Sequence, residues 1–431
     1  MRRLTHATLL LFLLMSVFIV AACETDEADD ETADNVVTNT PQPTLPPTDA
    51  PTPTPAPQAP EGFVLVPAGQ PVRIGLATDL SNLLPASGQD TLQSAQLAID
   101  DFNAAGGLQG FEVTLETEEG ALTIAEEFIA AGDIVAVIGH LCSGASIPAS
   151  DLYEEARIPM VSPASTAGFF TARGYDTTNR TIFSDNVQGV VAARYMAEVL
   201  GADRIAVLHN GTRYGEGLAG QVALNFQLAG GEVPLQEGID PEAEDYSDVL
   251  DTVAAAEPDI LYLGGYESEA ARLVEAMRNR DDLADLTFFS ADGVNTTDFL
   301  EQAAEFSEGV YTTFGQSLGD PAAYEAFTQR YEEVYGVTPM ELGAYHSQAY
   351  DAANMILAAL EEVAEVDEDG NLLIEREALV QAVRNTEDFE GLSGTITCDA
   401  AGDCAQARIV VFQAQDGQWV EQDVPDALQV D

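Results

Sequence analysis

The stretch VIGHLCSGAS, residues 137–146, decides the fold. An apolar run, Ile134–Ile138, reads as a strand and ends at Gly139. Gly144 follows five residues later, the G-x-x-x-x-G spacing of a phosphate-cradling loop. Ala145-Ser146 then stand where that motif needs Lys and a hydroxyl, and the chain contains no Lys at all. A strand that enters a helix through glycine is the unit of a parallel α/β sheet. The helix N-terminus supplies free N–H groups and partial positive charge. Ser143 and Ser146 add hydroxyls. Together these suit a single carboxylate better than a phosphate.

Outward from this loop the pattern repeats. VRIGLAT (72–78) reads as a strand and 90–107 as a helix that stops at Gly106-Gly107. FEVTLET and IPMVS are further strands, with helical stretches between them. After residue 185 the rhythm restarts, with strands at 204–210, 231–236, 259–265 and 286–290 and helices at 187–200, 214–229, 246–256 and 267–279. Helices at 321–335 and 341–363 follow. GTITCDAAGDCAQARIVVFQ (393–412) reads as a closing β-hairpin. The fold class is α/β, with two doubly wound parallel-sheet lobes. Ligands bind such sheets beyond the carboxyl ends of the strands. The candidate site loops are therefore 139–146, 162–166, 210–215, 264–266 and 290–293.

Composition bounds the partners. Acidic residues number 73 against 16 basic ones, a net charge of −57. Nucleic acid and anionic membrane surfaces would repel such a chain. Arg2 and Arg3 precede an apolar run that ends in small residues, the pattern of a secretory signal peptide over residues 1–22. Val20-Ala21-Ala22-Cys23 closes it and resembles the lipobox of bacterial lipoproteins, which implies a lipid on Cys23 in preference to an ordinary cleavage site with a chance cysteine. Residues 23–61 are acidic and then Pro/Thr-rich, a tether without the apolar surface to pack. Extended, its Pro-rich part would span about 60 Å.

Cys398 and Cys404 flank the short turn DAAGD in an exported chain, so a disulfide is expected. The seven-residue closure is worth about 2.4 kcal/mol by loop entropy. Cys142 reads as a small buried residue. GEGLAG (215–220) matches G-x-G-x-x-G and is the one lead to a nucleotide-dependent enzyme, but a polar turn separates it from the preceding strand. The mature chain has three widely spaced histidines, 140, 209 and 346, without H-E-x-x-H, and no G-x-S-x-G. No metal, cofactor or catalytic residue is expected.

The loops combine into a pocket. Ser143 on one loop, with the Ala164 backbone and the Thr166 hydroxyl on the next, offers neutral donors to a carboxylate. Asp292 in SADG offers a partner for an ammonium. Tyr214 and Tyr266 offer walls with an apolar body and a polar tip. A carboxylate acceptor, an ammonium partner and aromatic walls make an α-amino-acid site.

VIGHLCSGASIPASDLYEEARIPMVSPAST, with RGY (173–175), RIAVLHNGTRYGEGLA, LYLGGY and the DG of 292–293, resembles the leucine/isoleucine/valine-binding proteins of branched-chain amino-acid ABC transporters, the type I periplasmic-binding-protein family. The resemblance implies two lobes joined by three crossovers, 62–184 plus 317–392 and 185–316 plus 393–431. It implies ligand contacts from Ser143, Ala164, Thr166, Tyr214, Tyr266, Asp292 and Tyr345. Ser87 stands where the family commonly carries an aromatic residue over the ligand side chain. The cysteine that often pairs with the equivalent of Cys142 has no counterpart in 116–121, so Cys142 is expected to be a free thiol.

What the resemblance implies in function is a monomeric solute-binding component, lipid-anchored on the extracellular face of a bacterial membrane, delivering an aliphatic amino acid to an ABC permease. The alternatives are a related solute such as an amide, urea or a polar amino acid, or a sensor subunit of a receptor.

Overall fold

A computed structural model describes residues 59–81, 83–119, 122–406 and 408–430. The expected signal peptide, the lipidated Cys23 and all but the last residues of the tether lie outside the described residues. What is described falls within one unit, Ala56–Asp431.

Two large sheets carry the chain. The first contains β1 (Val72–Thr78), β2 (Val113–Glu119), β3 (Ile134–Gly139), β4 (Met160–Ser162) and β5 (Thr178–Arg180). Its order is β2-β1-β3-β4-β5, every pair parallel. The second contains β6 (Arg204–His209), β7 (Glu232–Gly238), β8 (Ile260–Gly264), β9 (Thr287–Phe289), β10 (Tyr311–Gly315), β11 (Ile409–Gln415) and β12 (Gln418–Gln422). Its order is β12-β11-β10-β9-β8-β6-β7, and only the β10–β11 and β11–β12 pairs are antiparallel.

Burial explains the sequence of these strands. All of IVAVIG in β3 and all of ILYLG in β8 are buried, because helices cover both faces of each sheet. The edge strand β7, EVPLQEG, is largely exposed and carries Pro234 and two glutamates, which discourage pairing with another chain.

The α-helices of eight residues or more among the described residues are α1 (Pro85–Ala104), α2 (Leu122–Ala131), α3 (Ser143–Ala156), α4 (Asp185–Arg194), α5 (Arg213–Leu228), α6 (Ser247–Ala256), α7 (Glu267–Arg278), α8 (Pro321–Tyr335), α9 (His346–Val363) and α10 (Arg376–Arg384). Helix α1 starts five residues before the expected 90, since Pro85 is tolerated in a first turn. It stops before Gly106-Gly107, both at positive φ, and a Cβ on Gly107 would sit 2.2 Å from the Phe111 carbonyl oxygen. Helix α9 starts five residues later than expected. Pro339–Glu341 form a separate 3-10 turn, and Gly343 is pressed against α1, where an added Cβ would lie 3.2 Å from the Ser87 Cα.

The closing hairpin is not the expected one. Thr395–Ile396 pairs with Phe389–Glu390, while β11 pairs with β10 and β12, so the hairpin of the second sheet is 409–422, turning at Asp416-Gly417. Ile396 and Cys404 belong to the core around β1, β3 and α9, so this segment stays with the first sheet until Ile409. The Cys398–Cys404 disulfide is present and Cys142 is a free thiol, half-buried rather than buried as expected, because it stands at the start of α3 beside the cavity. The chain thus crosses between the sheets three times, after β5, after β10 and before β11.

Candidate ligand site

Gly139 ends β3 at φ 124°, with the Ala77 carbonyl oxygen 2.3 Å from where a Cβ would stand, so no other residue fits this exit from the sheet. The loop beyond it is tied to the one after β4 by serines. Ser162 Oγ donates to the His140 carbonyl at 2.7 Å, and Ser146 Oγ lies 2.6 Å from Ser165 Oγ. Ser143 Oγ accepts from the Ala167 N–H at 3.3 Å. Ser146, expected as a ligand donor, is instead fully engaged inside this clamp, because its hydroxyl also donates to the His140 carbonyl. Ser143 opens α3 and lines a cavity together with Ala164.

The opposite wall comes from the second sheet. Thr212 caps α5 by accepting from Gly215 N–H at 3.0 Å, which presents Tyr214 in the first turn. Tyr266 precedes α7, and Glu269 Oε1 accepts from its N–H at 2.8 Å. The two rings stack, with centroids 5.1 Å apart. Asp292 follows β9. Its Oδ1 accepts from Tyr214 Oη at 2.8 Å and its Oδ2 from Tyr345 Oη at 3.2 Å. Gly293 must be glycine, since a Cβ would lie 2.7 Å from the Gly265 carbonyl oxygen and 3.0 Å from Tyr214 Oη and the Tyr266 ring.

Six predicted residues therefore meet around one cavity: Ser143, Ala164, Tyr214, Tyr266, Asp292 and Tyr345. Two do not line it. Thr166 is fully buried behind Ala164, and Ser87 lies in α1 beneath Gly343. Leu84, Leu141 and Cys142 also face the cavity. Its free space is about 10 Å³, room for about one water. An amino acid enters only if the two walls separate.

Sequence reasoning missed Asp185. It opens α4, is 1 % exposed, and neither carboxylate oxygen has a hydrogen bond within the usual limits among the described residues. Burial first, and then the charge of Asp292, push its pKa well up, while Thr166 and Arg180 pull it back. Burial also raises Asp292, against hydrogen bonds from Gln188, Tyr214 and Tyr345. Arg180 is fully buried. It donates to the carbonyls of Ser165, Thr166 and Ala167 at 3.2, 2.8 and 3.1 Å and pairs with Asp403 at 2.6 Å. Two buried carboxylates thus repel one another, and Arg180, the cation that offsets Asp185, is largely committed elsewhere. The sole sequence signal for Asp185 was its place at a helix start, which an acidic chain offers many times.

Burial pushes the hydroxyls of Tyr214, Tyr266 and Tyr345 well above their usual range, so all three remain donors. Among the described residues no Arg lines the cavity. The arrangement offers neutral donors at the start of α3 and a buried carboxylate opposite, groups of the kind that a zwitterion needs.

GEGLAG lies inside α5 rather than at a strand-to-helix turn. Gly215 is there for packing, since a Cβ would meet the Gly264 carbonyl oxygen at 2.4 Å, and Gly217 and Gly220 face open space. A dinucleotide loop needs glycines where the chain turns beneath the pyrophosphate, which this helix does not provide.

Two helix-covered parallel sheets, three crossings and a polar cavity between them define a two-lobed solute-binding protein of the type I periplasmic-binding-protein fold. A family model described as periplasmic binding protein matches residues 71–418, and the chain belongs to that family. It is 28 % identical over 355 residues to the leucine-, isoleucine-, valine-, threonine- and alanine-binding protein of Pseudomonas aeruginosa, covering 80 % of this chain and 90 % of that one. It is 28 % identical over 346 residues to the Leu/Ile/Val-binding protein of Citrobacter freundii, covering 79 % and 90 %. A crystal structure of the leucine-binding protein LivK of Thermotoga maritima superposes with a TM-score of 0.72 at 26 % identity, covering 82 % of this chain and 98 % of that one. The resemblance carried by residues 137–166 is borne out.

Proposed function

We infer that this chain is the solute-binding component of an ABC importer and captures an aliphatic α-amino acid between its two sheets. The observation that carries this is Asp292, held by two tyrosine hydroxyls across the cavity from the start of α3. The ligand carboxylate sits at Ser143 and the backbone around Ala164. Its ammonium pairs with Asp292, with Asp185 behind. Relatives that bind leucine, isoleucine and valine by name support the aliphatic side chain.

The two walls belong to different sheets joined by three crossings, so a ligand that touches both favours the closed arrangement. The leader and Val20-Ala21-Ala22-Cys23 support a lipid anchor that leaves the folded unit outside the cell, within reach of a permease. The protein acts as a monomer and performs no chemistry on its cargo.

Calorimetric titration tests the reading. The chain from residue 59 onward is unfolded and refolded to strip bound solute, then titrated with leucine, isoleucine, valine, alanine, glutamate, urea and NAD. Tight binding of the aliphatic set is expected. Binding of urea or glutamate alone overturns the ligand class, and binding of NAD alone overturns the reading altogether.

A further inference from the structure

Helix α9 begins without a cap of its own. Its N-cap residue is Tyr345, whose side chain makes no hydrogen bond to the first turn. Good caps are short side chains that place an acceptor beside the free N–H groups, and a tyrosine cannot do so. Its hydroxyl is used elsewhere, donating to Asp292 Oδ2 at 3.2 Å.

The cap comes from another helix. Asp90 lies in α1, fully buried, and its Oδ2 accepts from the Tyr345 N–H at 3.0 Å. A carboxylate in this place satisfies a free N–H and meets the positive end of the helix dipole. Among the described residues no Arg pairs with Asp90. The basic group beside it is His346, the first residue of α9, with Nδ1 3.6 Å from Oδ2. Burial pushes the Asp90 pKa up, while the His346 ring and the N–H groups of Tyr345 and His346 pull it back.

Gly343 lets the two helices approach. A Cβ there would lie 3.0 Å from Asp90 Oδ2 and 3.3 Å from the Asp90 Cβ. His346 is fixed from α8, with Nε2 2.9 Å from Tyr324 Oη and its ring stacked on Phe327, centroids 6.0 Å apart. The backbone that carries Tyr345 is thus gripped on both sides.

The grip and its target belong to different sheets. Helices α1 and α9 share the core of the first sheet, whereas Asp292 follows β9 of the second. The Tyr345 hydroxyl therefore reaches across the cleft, and its bond to Asp292 lasts only while the walls are together.

We propose that Asp90 is a positioning residue for the ammonium site: by capping α9 from α1 it holds Tyr345 where its hydroxyl meets Asp292 as the lobes close. The inference rests on the amino-acid reading above. A carboxylate that served the core alone would matter equally with or without the Tyr345 hydroxyl.

That difference is the test, a double-mutant cycle read by calorimetry with leucine. The protein is the whole chain from residue 23, with Cys23→Ser to keep it in solution, and circular dichroism checks each fold. Asp90→Leu removes the acceptor and should weaken leucine about tenfold. In a Tyr345→Phe background the same change should cost less than about threefold, because the hydroxyl that Asp90 aims is gone. Asp90→Asn keeps an acceptor oxygen and should lose only about threefold. If Asp90→Leu does not fold, Gly343→Ala replaces it. Its methyl crowds Asp90 Oδ2 and should weaken leucine only where the Tyr345 hydroxyl is present.

Unchanged leucine affinity in a folded Asp90→Leu overturns the proposal. Equal losses with and without the Tyr345 hydroxyl also overturn it and leave Asp90 a core residue. Asp90→Asn as weak as Asp90→Leu overturns the capping role. If the protein without these changes fails to bind leucine, the amino-acid reading itself falls and the proposal falls with it, an outcome distinct from the other three.

Discussion

Tyr214 Oη donates to Asp292 Oδ1 at 2.8 Å, although 78 residues separate the two in the chain. The bond crosses from the start of one helix to the loop after another strand, and Tyr345 completes it on Oδ2 at 3.2 Å. It aims a buried carboxylate into the cavity and satisfies both of its oxygens without a cation. The charge remains available for a ligand.

Asp292→Asn should therefore weaken leucine binding by about 2–5 kcal/mol, the cost of leaving a buried ammonium without its charged partner. The amide oxygen still accepts from one tyrosine and its N–H can donate to the hydroxyl oxygen of the other, so the fold should hold. Calorimetry gives the affinity and circular dichroism the fold; an unchanged affinity removes Asp292 from the site.

Amino-acid binding should tighten as pH rises above the ordinary carboxylate range of about 4. Burial raises both Asp185 and Asp292, and the charge of Asp292 raises Asp185 further, so the free protein holds protons above the ordinary carboxylate range of about 4. A cationic ammonium favours the ionised forms and expels those protons, so affinity gains where they are otherwise bound. Titration in two buffers of different ionisation enthalpy should show proton release on binding, reduced in Asp185→Asn. Binding that takes up protons contradicts the assignment.

Glu267 should make the fold less stable at alkaline pH. Burial, and then the charge of Asp298, push it up to about 8 in the folded chain. The folded state holds the proton more tightly than the unfolded state. Stability is therefore full below the unfolded value of about 4.3 and is lost as pH climbs through about 8. Urea unfolding at pH 6 and pH 9 should show a decline that Glu267→Gln reduces by a few kcal/mol. A decline of the same size in the variant would sink the attribution.

Cys142 should titrate as one thiol per unfolded, unreduced chain from residue 59, because Cys398 and Cys404 are paired. In the folded chain burial, and then the charge of Asp79, push it up to about 12, so it should resist alkylation at pH 8. It lines the amino-acid cavity, and leucine should protect it further. Rapid labelling of the folded protein would count against this placement.

Replacing Cys398 and Cys404 by serine should cost about 2.4 kcal/mol by loop entropy. The loop they close also supplies Asp403 to Arg180 and accepts the Arg180 N–H on the Gly402 carbonyl at 2.9 Å. Arg180 in turn holds the carbonyls of residues 165–167. The loss should therefore reach the ligand site as weaker leucine binding, which thermal unfolding and calorimetry together would separate from simple destabilisation.

The α/β class was legible because fully buried strands must be apolar throughout, as β3 and β8 are. Five of the expected site residues met because loops after parallel strands share one end of a sheet, and Tyr345 joins them from the start of α9. Ser87 did not join them, since Gly343 lets the chain before α9 settle directly onto α1. The hairpin at 393–412 was misread because two short β-rich runs around a turn look alike whether they pair together or apart. Here Ile396 found its place in the core of the first sheet.

By itself the sequence determined the order of strands and helices, the position of the loops and the neutral, lysine-free chemistry at the start of α3. These depend on burial period and on residue type, which neighbouring residues carry. Only the tertiary structure decided that Ser146 turns into a serine clamp, that Asp185 is buried within electrostatic reach of Asp292 and that GEGLAG lies within a helix. Each depends on a side-chain direction or a wall set by partners distant in the chain. A rotamer choice of about 1 kcal/mol is settled by those contacts and leaves no trace in local pattern.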